Sequence, residues 1–84
     1  MNHTTYAEGI AAEVRAEIAR QRKTVQGLAV VLGSSQSTAS RRYLGEVPFD
    51  MCEMFDVADW LGVTVTEFDR RARETATHQP ALSA

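Results

Sequence analysis

A short polar stretch, residues 36–42, carries the side chains with the clearest potential for specific chemistry. If it forms a helix, Ala39 and Tyr43 lie four residues apart and make a narrow apolar seam on one side. The other side then presents amide, hydroxyl and guanidinium groups, which belong to Gln36, Ser37, Ser40 and Arg41, with Thr38 and Arg42 at the flanks. Such groups donate and accept hydrogen bonds in patterns that fit base edges in the major groove of DNA. The stretch therefore predicts a helix that contacts base pairs.

Other kinds of chemistry have few residues to support them. The single cysteine, Cys52, excludes an internal disulfide and a cysteine-based metal site, and we expect it to be a small buried or half-buried apolar side chain. His3 and His78 stand near opposite ends, so no zinc cluster is expected. No Ser/His/Asp set, carboxylate dyad or phosphate-binding loop can be assembled. We expect no metal, no cofactor, no small-molecule ligand and no enzymatic activity.

Two short helices joined by a tight turn must hold the polar side outward. Thr24 is the expected N-cap of a helix over residues 25–32, and Gly33 ends that helix because a residue without Cβ adopts the left-handed conformation at little cost. Ser34 fills the turn, and Ser35 caps a second helix over residues 36–44, which stops at Gly45. This arrangement is a helix-turn-helix, whose second helix enters the major groove.

Three more helices are predicted, over residues 5–22, 51–61 and 65–73, because each follows a capping-box pair and carries an apolar stripe. The capping-box pairs are Thr5 with Glu8, Asp50 with Glu53 and Thr64 with Glu67. On helix 51–61 the residues expected to face the core are Met51, Met54, Phe55, Ala58 and Leu61, with Val57 at the edge. We therefore expect one compact all-α domain of five helices, ordered over about residues 5–73 and followed by a polar, flexible tail at residues 74–84.

Charge is unevenly distributed along the chain, although the net charge is only −2. Residues 9–45 carry six basic and two acidic side chains, whereas residues 46–69 carry seven acidic and no basic ones. Either these are solvated helix faces, or one half of the domain faces phosphate and the other faces solvent or a partner. No apolar run is long enough to span a bilayer and no signal peptide is recognisable, so a cytoplasmic protein is expected.

Residues 28–68 read LAVVLGSSQSTASRRYLGEVPFDMCEMFDVADWLGVTVTEF. The recurring signals are Leu28-Ala29, Gly33, the SQST at the start of helix 36–44, and Gly45 after it. With these signals, and over about residues 8–72, the chain resembles the helix-turn-helix family of phage repressors, Cro-type proteins and xenobiotic-response-element-like regulators. The resemblance implies a sequence-specific protein that binds double-stranded DNA and regulates transcription, as a phage or prophage repressor or Cro-like protein.

The resemblance also implies roles for individual positions. Its base-reading positions fall on Gln36, Ser37, Ser40 and Arg41, the same four residues that the helix pattern turns outward. Its phosphate-contacting positions fall on Thr24, Gln26, Ser35 and Thr38. To these we add three basic side chains close to the two helices, Arg22, Lys23 and Arg42. For Arg42 the alternative is an ion pair with Glu46.

Members of this family commonly bind as two-fold dimers on half-sites about one helical turn apart, so the resemblance implies a homodimer. The candidates for its interface are Trp60, Val65 and Phe68. For the large Trp60 the alternative is that it covers the core. The alternative for the whole chain is a protein-binding module on the same fold, an antirepressor or antitoxin, which acts through the acidic side of helix 51–61.

Overall fold

A computed structural model of the chain describes residues 2–77 and arranges them as five α-helices. They are α1 (His3–Arg20), α2 (Val25–Leu32), α3 (Gln36–Tyr43), α4 (Met51–Leu61) and α5 (Val65–Thr77). Because the described residues contain no strand, the all-α prediction is confirmed. Within the same range, no helix is both long enough and apolar enough to cross a bilayer. The predicted tail from residue 78 onward, including His78, lies outside the described residues.

The first helix has different ends from those predicted. It begins two residues before Thr5, because Asn2 is the N-cap and its Oδ1 accepts a hydrogen bond from the Thr5 backbone N–H at 2.7 Å. It ends at Arg20 and not near Arg22, since Arg22 adopts a left-handed φ of 56° that reverses the chain. A left-handed residue just past a helix is a common way to end it, although glycine more often occupies that position.

The next two helices begin and end almost where the sequence predicts. The Thr24 hydroxyl accepts a hydrogen bond from the Gly27 N–H at 3.1 Å, and the Ser35 hydroxyl accepts one from the Thr38 N–H at 3.1 Å. Between these caps, Gly33 has a φ of 63° and ends α2. Only residues 33–35 separate α2 from α3, so the two helices are held close together and pack against each other.

The last two helices are also capped, but only one of their predicted capping boxes is complete. Asp50 and Glu53 form both bonds of the box that starts α4. At α5 the Thr64 hydroxyl accepts from the Glu67 N–H at 3.0 Å, whereas the Glu67 carboxylate binds Arg70 and Arg71. The predicted end of α5 near residue 73 is wrong, since the helix continues to Thr77.

The core lies where α1, α2, α4 and α5 meet. Its largest fully buried side chains come from four different helices and are Val14, Leu28, Val57 and Phe68. The long helices α1 and α5 pack closely enough that a Cβ on Gly9 would lie 3.4 Å from the Ala72 Cβ. That distance is an ordinary van der Waals contact, so α1 and α5 pack closely here without requiring a glycine.

Four residues of α4 differ in burial from the prediction. Met51 and Phe55, predicted to face the core, are 61% and 59% exposed, and Cys52 is exposed as well. Val57, predicted at the edge, has no exposed surface. The apolar side chains of α4 span a wider arc around the helix than the neighbouring helices cover. The residues buried in the core therefore occupy only part of that arc, and the row of Met51 and Phe55 is left outside.

A buried carboxylate ties three helices together. Glu17 on α1 is only 9% exposed, and its oxygens accept hydrogen bonds from Gln21, Arg20 and, across to α5, Arg71 at 3.0 Å. Gln21 also donates to the carbonyl of Leu61, the last residue of α4, at 2.6 Å. The hydrogen bond from Gln21, followed by that from Arg20, lowers the pKa of Glu17 to about 2. The carboxylate is therefore charged at neutral pH and fixes the ends of α1 and α4 against α5.

Candidate nucleic-acid interface

The third helix packs with a narrow seam inward and a polar side outward. Ala39 has no exposed surface, and Tyr43 is half-buried against the core. With 100° between successive residues, the four predicted base-reading side chains share one continuous arc on the other side. Of these four, Gln36, Ser37 and Arg41 are exposed and Ser40 is half-buried. Small hydroxyl side chains between an amide and a guanidinium leave room for this side of the helix to approach another molecule closely.

The C-terminal end of α3 is held from α1 by Arg15. Its Nη1 donates a hydrogen bond to the Tyr43 carbonyl oxygen at 2.8 Å, and its guanidinium carbon lies 6.0 Å from the Tyr43 ring centroid. A cation at this end also complements the helix dipole. No local sequence pattern indicates this contact, because the two residues are 28 positions apart. Arg15 thus fixes the outward side of α3 without contributing to it.

Arg42 is bound to the body of the domain and does not pair with Glu46 as the alternative prediction had it. Its Nε donates to Glu53 at 3.1 Å, and the same carboxylate oxygen accepts from the Asp50 N–H at 2.9 Å. The Arg42 side chain is only 20% exposed. Arg42 therefore joins α3 to the start of α4. Only its terminal Nη atoms remain available for the predicted contact with DNA phosphate.

The remaining predicted phosphate contacts surround the N-terminal ends of α2 and α3. Thr24, Gln26 and Ser35 are exposed, whereas Thr38 is half-buried and accepts a hydrogen bond from the Ser35 hydroxyl at 3.1 Å. The first turns of both helices carry backbone N–H groups without intrahelical partners, which gives these ends a partial positive charge. Residues suited to phosphate are thus grouped beside the outward side of α3.

Basic side chains without a carboxylate partner lie just before α2 and on α3. Within residues 2–77, Arg22 and Arg41 are exposed and form no ion pair, and Lys23 contacts an aromatic ring instead of a carboxylate. The arginines of α5, by contrast, pair with Glu67, Glu74, Glu17 and Asp69. The net charge of −2 therefore does not describe the outward side of α3, where Arg41 is an unpaired cation, although Glu46 just after this helix is an exposed carboxylate without an ion pair in the described part of the chain.

The predicted dimer residues fall in three different environments. Phe68 has no exposed surface, so its assignment to an interface is wrong and it belongs to the core. Trp60 is half-buried and lies against α2. Val65 is half-buried and lines an open groove of about 430 Å³ between α4 and α5, together with Phe55 and Val63. The exposed apolar residues next to this groove, Met51 and Phe55, were missed because the sequence placed them in the core.

Neither a metal centre nor a known relative offers another explanation of these residues. Within the described part of the chain, no three His, Cys, Asp or Glu side chains are grouped so that they could hold a metal ion. Comparisons with protein-family models, with curated proteins and with solved structures found no match.

Proposed function

We propose that this chain is a sequence-specific regulator of transcription that binds double-stranded DNA, with α2 and α3 acting as a helix-turn-helix. The observation that carries the proposal is the outward side of α3. Gln36, Ser37 and Arg41 are exposed there and Ser40 is half-buried, while the buried Ala39 anchors the helix. An eight-residue helix is about 12 Å long, and the major groove is about 12 Å wide. Arg41 is suited to a bidentate contact with guanine, and Gln36 to adenine.

Phosphate contacts are the second part of the proposal. The exposed hydroxyls and amide at the starts of α2 and α3 and the unpaired Arg22 and Lys23 lie on the side that would face the backbone. Such contacts set the register of a protein on DNA but carry no sequence information. On this proposal the protein is a phage or prophage repressor or Cro-like protein of the host cytoplasm, which needs no cofactor or small ligand.

We propose further that two copies bind a two-fold site. A single α3 contacts too few base pairs to select one site in a genome, and pairing two copies multiplies their separate affinities. The exposed row of Met51 and Phe55 beside the groove with Val65 is the best candidate for the contact, because it is the largest apolar surface left open on the helices α4 and α5.

Selection of bound duplexes from a random pool tests the proposal directly. The expected result is an enriched consensus with two-fold symmetry, whose selected duplex binds far more tightly than a shuffled duplex of the same length. The protein with Gln36→Ala should lose preference at one position of each half-site and keep the rest. A pool that stays random after several rounds at low salt would refute sequence-specific binding.

A protein-binding module, such as an antirepressor or antitoxin, is the second candidate. It is favoured by one observation, the exposed Phe55 next to Asp56 and Asp59, two exposed carboxylates that form no ion pair within residues 2–77. A surface of this kind suits a partner segment that is both apolar and basic. The two candidates separate in one experiment, since the module would bind no duplex at any salt concentration, whereas the regulator would.

A further inference from the structure

The single tryptophan of the chain, Trp60, is half-buried and packs on the first turn of α2. A Cβ placed on Gly27 would lie 3.0 Å from Cζ2 and 3.5 Å from Cη2 of the Trp60 indole, so the ring rests directly on the α2 backbone. Every residue larger than glycine at position 27 would push the ring away. Trp60 therefore connects the end of α4 to the start of α2.

The same ring holds the cation that precedes α2. The Lys23 Nζ lies 5.1 Å from the Trp60 ring centroid, within the distance at which an ammonium is attracted to the face of an indole. Among residues 2–77 no carboxylate pairs with this ammonium. The indole is thus in contact both with the lysine side chain and with the helix turn that follows it.

Trp60 also lies on a different side of α4 from the residues of the proposed dimer contact. With 100° per residue, it lies about 140° around the helix from Phe55, which belongs to the exposed apolar row. A second copy seated on that row would leave the indole where it is. This separation assigns Trp60 to the α2 side of the molecule.

We propose that Trp60 is a positioning residue for DNA phosphate, which holds the Lys23 ammonium ready for the DNA backbone. This proposal rests on the proposed function. A free lysine side chain has four rotatable bonds, and fixing it on binding costs conformational entropy. A side chain held in place beforehand has lost part of that freedom already, so more of the phosphate attraction appears as affinity.

A double-mutant cycle tests the proposal with the selected duplex and the full chain. Lys23→Gln removes the ammonium, Trp60→Leu removes the ring, and each alone is expected to weaken binding about two- to fivefold. In the Lys23→Gln background, Trp60→Leu should have almost no further effect, because the side chain that it positions is gone. Trp60→Phe, which keeps an aromatic face, should restore part of the coupling.

The neighbouring cation provides the matched control. Arg22 is exposed and has no contact with the indole, and the effects of Arg22→Gln and Trp60→Leu on affinity should therefore multiply. If the effects also multiply in the Lys23 cycle, Trp60 is only a packing residue and the proposal is overturned. If the wild-type chain binds no duplex, the proposed function itself fails, which is a different result.

Tryptophan emission gives a second measurement that does not depend on the fold of a Trp60 variant. Because the chain has one tryptophan, its emission reports on this ring alone. A saturating concentration of duplex should change the emission of the wild-type chain, because the Lys23 ammonium then binds DNA phosphate. The emission change of the Lys23→Gln protein should be less than half as large. Equal changes in the two proteins would overturn the proposal.

Discussion

Raising the salt concentration should weaken duplex binding by an amount that can be worked out from the unpaired cations. A protein that neutralises DNA phosphates releases bound counterions, so the logarithm of its affinity falls linearly with the logarithm of the salt concentration. Three cations near α2 and α3 lack a carboxylate partner within residues 2–77, namely Arg22, Lys23 and Arg41. Arg15 is already bonded to a backbone carbonyl, and Arg42 to Glu53.

The expected slope follows from this count. Arg41 is assigned to a base, so Arg22 and Lys23 are left for phosphate, and at about 0.9 per phosphate contact they give a slope of roughly −1.8 for one protomer and about −3.6 for a two-fold dimer. A single protomer would then lose about 12-fold in affinity between 50 and 200 mM salt. If all nine lysines and arginines contributed, the slope for one protomer would instead be near −8.

Fluorescence anisotropy of a labelled duplex over a series of salt concentrations measures this slope. A duplex holding one half-site reports on one protomer, and Arg22→Gln should make the slope shallower by about 1. Glu74→Gln, which removes an exposed partner of Arg70 on α5, should leave the slope unchanged. A slope near zero, or one of −6 or steeper on the half-site, would refute the assignment of Arg22 and Lys23 to phosphate.

Four further outcomes are expected. Arg41→Ala should cost about 1–3 kcal/mol on the preferred duplex and relax one base position, as measured by competition with singly substituted duplexes. Glu17→Gln should lower the free energy of unfolding at pH 7 by about 1–2 kcal/mol. The fall in the pKa of Glu17 from 4.5 to about 2 corresponds to at most about 3 kcal/mol of stabilisation, and solvent around its partner Arg20, which is 57% exposed, reduces that value. Because the folded-state pKa is lowered, this stability is complete above pH 4.5 and is lost as the pH falls toward 2, so the difference in urea unfolding should disappear there. Phe55→Ser should dissociate the dimer in sedimentation equilibrium, whereas Val30→Ser, at an apolar residue on α2 that is even more exposed, should not. Arg15→Gln should lower the free energy of unfolding by about 1.5 kcal/mol in the same urea experiment, because a charge-assisted bond to the α3 terminus is lost.

The features that the sequence predicted correctly are those decided within a few residues. Thr24 and Ser35 each cap a helix by a bond that spans three residues, and Gly33 ends α2 through its own backbone conformation. Such signals depend little on the rest of the fold, which is why the bounds of α2 and α4 agree with the prediction. The start of α1 failed for a local reason as well, because Asn2 and Thr5 are both good caps and the earlier one is used.

Periodicity predicted which side of α4 is apolar but not how much of that side is covered. Met54 and Phe55 are neighbours in the sequence and both belong to the apolar arc, where they lie about 100° apart, yet Met54 is buried and Phe55 is 59% exposed. Amphipathicity is a property of one helix, whereas coverage depends on how closely its neighbours approach. The surface proposed for the second copy therefore became visible only once the five helices were assembled.

Ion pairing limits what the sequence can say about the site more than any other factor. Arg71 has Glu67 within one turn of α5, yet it also binds Glu17, which is 54 positions away. Arg42 pairs with Glu53 and not with Glu46, which is closer in the sequence. Each arginine has several carboxylates within reach along the chain, and only the fold selects among them. A charge count over segments therefore assigns α5 three positive charges that carboxylates of α1 and α5 neutralise, while Arg41, among the described residues, stays unpaired on the outward side of α3. An unpaired guanidinium beside exposed hydrogen-bonding side chains is the strongest physical reason to test this helix for DNA binding.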